Sequence, residues 1–172
     1  MTSVIQWNCR GLRANLDEVQ LLINQIKPIA LCLQETMQND NSNINVGNYS
    51  HFSCNAKTSD GRACGGVSIL VLKSVPHTEV KIKTNLQAVA ARITLQRTIT
   101  LCSIYLPPSS PINARDLDDL IDKFPAPILL MGDFNAHSTL WGCQALDARG
   151  KIIEDFIANN NLCYLNNKHK YT

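Results

Sequence analysis

Apolar and polar positions fall into short blocks, each with its own period. Residues 4–9 alternate, with Val4, Gln6 and Asn8 on one side and Ile5, Trp7 and Cys9 on the other, which predicts a strand. Asn15 then opens a helical pattern. Leu16, Val19, Leu22, Ile23 and Ile26 line one face, Asp17 and Glu18 sit in the first turn, and Pro28 closes it. Residues 29–33 form a continuous apolar run, as in a strand covered on both faces, and it stops at Gln34 and Glu35. Residues 36–48 are polar and asparagine-rich, hence a loop. Strands are expected at 49–55, at 67–72 and weakly at 80–82, while 57–66, with Asp60-Gly61 and Gly65-Gly66, reads as a hairpin turn or loop.

Residues 87–95 alternate, with Val89, Ala91, Ile93 and Leu95 on one face. They pair with 98–106 through a turn at Gln96 and Arg97, and Leu106-Pro107-Pro108 stops that second strand. Residues 113–124 predict a helix with Leu117, Leu120, Ile121 and Phe124 inward and four aspartates outward. A short apolar strand, 127–131, ends at Gly132. A third helix follows at 148–159, striped by Ile152, Ile153, Phe156 and Ile157, then a short strand at 162–165 and a polar tail. Few helices among many strands point to an α/β (α+β) layering, with sheets packed on each other and helices outside. The 172 residues suit one domain, without internal repeats.

Composition narrows the picture little. Sixteen Lys+Arg against fourteen Asp+Glu leave a formal charge of +2, so any nucleic-acid surface must be a local patch. Seven cysteines contain no C-x-x-C pair. Cys9, Cys32, Cys102 and Cys163 sit in apolar runs and read as small buried hydrophobes of a reducing compartment, not as zinc or disulfide partners. The sequence has no stretch long enough to span a membrane and no signal-type start, so an intracellular protein is expected.

The chemistry collects at strand ends. Asn8, Glu35 and Tyr105 each lie where an apolar strand stops, and Asp133 and Asn135 follow a fourth. In extended backbone, residues two apart face the same way, so Asp133 and Asn135 converge on one point. Each has a plainer reading: Asn8 as a turn cap, Glu35 as an exposed acid, Tyr105 as packing, and Asp133 with Asn135 as an ordinary turn. Taken together they form an oxygen-rich set without a His or Cys cluster. Such sets favour Mg²⁺ or Mn²⁺ and suit hydrolysis of a phosphate ester. The four histidines carry no comparable signal.

Four motifs occur in order: Trp7-Asn8-Cys9-Arg10-Gly11-Leu12, Leu33-Gln34-Glu35-Thr36, Tyr105-Leu106-Pro107-Pro108 and Gly132-Asp133-Phe134-Asn135-Ala136-His137. Together they resemble the endonuclease/exonuclease/phosphatase superfamily, most of all the N-terminal endonuclease domain of non-LTR (LINE-type) retrotransposon polyproteins. The resemblance implies a four-layer sandwich of two mixed β-sheets flanked by helices. It implies Glu35 as the principal Mg²⁺ ligand with Asn8 beside it, and Tyr105 on the scissile phosphate. It also implies Asp133 as the acid that orients or deprotonates the attacking water, and Asn135 as the amide that holds the phosphate. DNA is the implied substrate, with a reverse transcriptase on the same polyprotein as partner and the nucleus as site of action. The freed 3′-hydroxyl would prime reverse transcription. The family's late aspartate and terminal Ser-Asp-His motif have no counterpart in the 172 residues. The expectation is therefore the N-terminal portion of such a domain, with impaired activity. Two other functions stay open: a phosphatase or phosphodiesterase of the same superfamily, and a catalytically dead fold kept as a binding module.

Overall fold

The computed structural model describes residues 2–42, 44–59 and 62–165. Its strands are β1 (Val4–Asn8), β2 (Ala30–Gln34), β3 (Tyr49–Cys54), β4 (Lys57–Ser59), β5 (Arg62–Cys64), β6 (Val67–Leu72), β7 (His77–Val80), β8 (Gln87–Thr94), β9 (Thr98–Tyr105) and β10 (Ile128–Asp133). The helices are α1 (Leu16–Ile26), α2 (Ala114–Ile121) and α3 (Ala148–Asn159). Two four-stranded sheets, ordered β1-β2-β6-β3 and β10-β9-β8-β7, stack face to face, and β4-β5 is a separate hairpin.

Strand alternation builds the layers. Ala30 and Cys32 of β2, with Val67, Ile69 and Val71 of β6, meet Val89, Ala91, Ile93 and Leu101 between the sheets. The opposite face of β2, Leu31 and Leu33, packs under Val19 of α1. The opposite faces of β8 and β9, with Ala88, Ala90, Cys102 and Ile104, pack under Leu117, Leu120, Ile153 and Phe156 of α2 and α3. The result is helix, sheet, sheet, helices. Both sheets are mixed, because β1 runs parallel to β2 and β10 parallel to β9, and the remaining ladders are antiparallel. Among the described residues no helix is long and apolar enough to cross a membrane.

The two parallel pairs lie over one another, β1 across from β10 and β2 across from β9. Parallel partners end at the same side, so four strand C-termini meet at one end of the sandwich. One polar link crosses the dry layer just behind them. Gln34, fully buried, donates from Nε2 to Ser103 Oγ at 3.0 Å and accepts from Gln6 Nε2 at 2.5 Å, while Ser103 Oγ donates to Leu33 O at 3.3 Å. Gln34→Ala removes this link and opens a void, and is expected to cost about 1–3 kcal/mol of unfolding free energy in urea titrations. An unchanged midpoint would show that Ser103 is satisfied without it.

Several expectations need correction. Residues 162–165 form no strand, and Cys163 and Leu165 are exposed, because no neighbouring strand offers them hydrogen bonds. Gly132 lies inside β10, not after it. Strand β7 begins at His77 and not at 80. Leu95 lies past the end of β8 and is exposed, unlike the other members of its stripe. Asn15 precedes α1 but does not cap it through its side chain, which instead donates to Cys9 O and Gly11 O. The turn at Asp60 and Gly61 and the tail 166–172 lie outside the described residues.

Candidate active site

Side-chain parity carries three of the residues inward. Along β1, Asn8 shares its side with Val4, which faces the second sheet. Along β9, Tyr105 shares the side of Leu101 and Ser103, and along β10 Asp133 shares that of Leu129 and Met131. All three therefore point into the space between the sheets, at its open end.

Glu35 arrives differently. Alternation would send it with Leu31 and Leu33 toward α1. Its backbone instead takes φ +51°, a left-handed conformation that turns the chain sharply after β2. Three hydrogen bonds hold the turn: Gly11 N–H to Glu35 O (2.7 Å), Thr36 N–H to Gly66 O (3.1 Å) and Met37 N–H to Gly65 O (2.9 Å). Gly65 and Gly66 both have φ above +80°, and Gly66 N–H donates to Gln87 Oε1 at 2.5 Å. The Gly-Gly pair thus ties Glu35 to β8.

The turned carboxylate completes a network. Asn8 Nδ2 donates to Glu35 Oε1 at 2.9 Å and to Asp133 Oδ2 at 2.8 Å. The Tyr105 hydroxyl donates to the same Glu35 Oε1 at 3.0 Å. Burial, the hydrogen bond to Glu35 and the charges of Glu35 and Asp133 push the Tyr105 hydroxyl far above its ordinary titration range, so the phenol stays protonated. Asp133 Oδ1 accepts the backbone N–H of Asn135 at 3.1 Å. Asn135 itself has φ +47°, and its Nδ2 donates to Leu106 O at 3.2 Å. Asp133 and Asn135 do come together, through a tight turn closed on the Asp133 carboxylate and not through continued extended backbone.

The structure therefore brings Asn8, Glu35, Tyr105 and Asp133 into direct hydrogen-bond contact, with Asn135 attached through Asp133. Arg10, Glu35 and Met37 have positive φ, each a conformation that costs such a residue about 1 kcal/mol or more, and Asn135 has one that asparagine adopts readily. Such strain concentrated where strands end is characteristic of functional sites. Sequence reading missed the parts that hold this arrangement: Gln34, the Gly65-Gly66 tie and Arg149. The signal that could have found the last of these is Gly150, a glycine in the first turn of a helix, where a close backbone approach is a common reason for glycine.

Two carboxylates share one amide, and among the described residues neither is paired with a lysine, arginine or histidine. The described residues contain no group of three or more His, Cys, Asp and Glu side chains suited to a metal ion. Two carboxylates plus substrate phosphate is nevertheless an ordinary way to hold Mg²⁺, so the donor set fits that ion. Asn8 turns its amide nitrogen toward the carboxylates, and its Oδ1 accepts from Arg10 N–H at 3.3 Å. It therefore orients the two acids and presents no oxygen between them. His137 pairs with Asp147 (3.0 Å) on the exposed rim.

A family model described as endonuclease-reverse transcriptase matches residues 99–172. A probable RNA-directed DNA polymerase from transposon X-element of Drosophila melanogaster is 25% identical over 162 residues, 92% of this chain and 18% of the relative. The RNA-directed DNA polymerase from mobile element jockey of Drosophila funebris is 26% identical over 156 residues, 89% of this chain and 17% of the relative. The chain thus spans less than a fifth of the length of these curated relatives. Among solved structures, the endonuclease domain of TRAS1, a telomere-specific non-LTR retrotransposon, superposes with TM-score 0.77 at 23% identity, covering 95% of this chain and 74% of that one. An AP endonuclease from Archaeoglobus fulgidus superposes with TM-score 0.62 at 16% identity, covering 92% and 71%. These likenesses show that the chain has the fold of the TRAS1 endonuclease domain and is similar, over about nine tenths of its length, to part of the RNA-directed DNA polymerases of two Drosophila mobile elements.

Proposed function

We propose that this chain is a Mg²⁺-dependent DNA endonuclease domain, with Mn²⁺ as an alternative ion, that nicks target DNA for a reverse transcriptase of the same polyprotein. The observation that carries the reading is the pair of carboxylates, Glu35 and Asp133, bridged by Asn8 where four strand ends meet and paired with no basic side chain among the described residues. Two like charges so placed, without a basic side chain, invite a divalent cation.

Each residue has a role that its contacts support. Glu35 is the ligand for the ion, its Oε1 already oriented by Asn8 and Tyr105. The chemistry a divalent cation supplies there is neutralisation of charge on the phosphate and on the leaving oxygen. Asp133 orients the attacking water and takes its proton as the new P–O bond forms. The bond from phosphorus to the 3′ oxygen breaks, and that oxygen takes a proton from solvent, leaving a 3′-hydroxyl and a 5′-phosphate. Tyr105, held protonated, has a single O–H that turns from Glu35 to a phosphate oxygen when substrate binds. Asn135 offers its second amide hydrogen to a phosphate oxygen, the first being committed to Leu106 O.

Nicking of supercoiled plasmid, with and without Mg²⁺, tests the proposal alongside Mg²⁺ calorimetry and Glu35→Ala as control. Nicking that requires both Mg²⁺ and Glu35 is expected. Glu35-dependent Mg²⁺ binding with turnover of small phosphate esters but not of plasmid would favour a phosphatase. Absence of Glu35-dependent binding would favour a binding module.

A further inference from the structure

We infer that Arg149 is the positioning residue that sets Asn135 and Asp133 for the reaction, an inference that rests on the nuclease reading above. Arg149 lies in the first turn of α3, on an element that contributes none of the five site residues. Its guanidinium is spent entirely on backbone carbonyls. Nε donates to Asn135 O at 2.7 Å, Nη2 to Phe134 O at 3.0 Å and to Leu106 O at 3.2 Å, and Nη1 to Ser110 O at 2.5 Å. Two of these carbonyls follow β10 and two follow β9, so a single side chain ties together the turns that succeed Asp133 and Tyr105. Leu106 O also accepts the Asn135 carboxamide. Asn135 is therefore held by backbone and side chain together, in a left-handed conformation.

Neighbouring contacts strengthen the same clamp. Trp141 Nε1 donates to Ala136 O at 2.9 Å, and Asp147 N–H donates to His137 O at 3.1 Å. With the two carbonyls on Arg149, four consecutive carbonyls, 134 to 137, are thus captured by α3 and the short 3-10 turn Thr139–Trp141 before it. Gly150 is required for this approach, since a Cβ there would stand 1.8 Å from His137 O. Among the described residues no carboxylate pairs with Arg149. Its positive charge lies within hydrogen-bond reach of the Asn135 backbone and is met by carbonyl oxygens alone. A planar fork reaches separated carbonyls in a way that a lysine ammonium cannot.

The test compares wild type, Arg149→Ala, Arg149→Lys and Asn135→Ala in Mg²⁺-dependent plasmid nicking. Thermal unfolding and hydrogen exchange run alongside. Arg149→Ala is expected to lower kcat about 10–100-fold through misplacement of the site, with KM for DNA little changed. Guanidinium ion added at millimolar concentration is expected to restore part of that loss in Arg149→Ala and none in Asn135→Ala. Arg149→Lys should recover part of the rate and serves if the alanine variant folds poorly. Wild-type kcat in Arg149→Ala, a loss confined to KM, or a loss without rescue by guanidinium or lysine would overturn the assignment. Should wild type itself not nick, the nuclease reading fails separately, and hydrogen exchange decides the clamp. Loss of protection at 134–138 and at Ser109, Ser110 and Ile112 in Arg149→Ala, partly restored in Arg149→Lys, upholds it; unchanged protection rejects it.

Discussion

Asp133→Asn is expected to lower Mg²⁺-dependent nicking by about 10²–10⁴-fold, the usual contribution of a positioned general base. The replacement conserves volume and leaves the backbone of β10 unaltered, so unfolding should change little. Asp133 holds two hydrogen bonds, one from Asn8 Nδ2 (2.8 Å) and one from Asn135 N–H (3.1 Å). An amide has one oxygen, so it can serve one of these donors, and the other is turned toward water at the cleft mouth. The informative comparison is with Glu35→Gln. That variant should lose Mg²⁺ affinity in calorimetry, while Asp133→Asn should keep most of it. If the two variants behave alike in both measurements, the division of labour between ion ligand and water base is wrong.

Gly132→Ala is expected to cost about 3 kcal/mol or more. Gly132 pairs with Ile104 across the parallel β9–β10 ladder. An added Cβ would lie 2.1 Å from Ile104 O and 2.6 Å from Ile104 Cγ2. The first contact is with backbone, which cannot yield without prising β10 off β9, one residue before Asp133. Gly142→Ala provides the contrast. There a Cβ meets nothing within 4 Å, and only the positive φ of +88° opposes it. That strain alone should cost about 1–2 kcal/mol. Denaturant midpoints of the two variants, read with unchanged m-values, separate steric from conformational cost. Equal midpoints would show that the β9–β10 register at this position differs from the one described.

The elements that sequence reading captured best are those whose pattern is enforced by burial on a regular lattice. Strands at 49–54, 67–72, 87–94 and 98–105 and the helix at 148–159 follow from alternation or from a period near 3.6. Leu117, Leu120 and Ile121 of α2, with Phe124 just past its end, are buried as their spacing requires. Misreadings arose where a residue's reason is a distant neighbour. Gly132 looks like a strand terminator, yet it is a glycine because the Ile104 carbonyl leaves no room for more. Residues 162–165 have the composition of a strand but pair with no strand among the described residues. Gln34 looks like a polar strand end, yet it is fully buried and bonds Ser103 of the other sheet.

The site divides along the same line. Local chemistry determined which residues could act: an amide, an acid, a phenol and an Asp-x-Asn turn, each where an apolar run stops. That much depends only on residue type and on the two-residue period of a strand. Tertiary structure decided that these ends coincide, because two parallel strand pairs stack with their C-termini on one side. It also decided that Glu35 faces its partners, through a left-handed turn anchored on Gly65 and Gly66 some thirty residues away. And it decided that Arg149, on an otherwise ordinary helix, grips the turns after two strands at once. Contacts between groups so far apart in the chain are set by packing, and no local pattern encodes them.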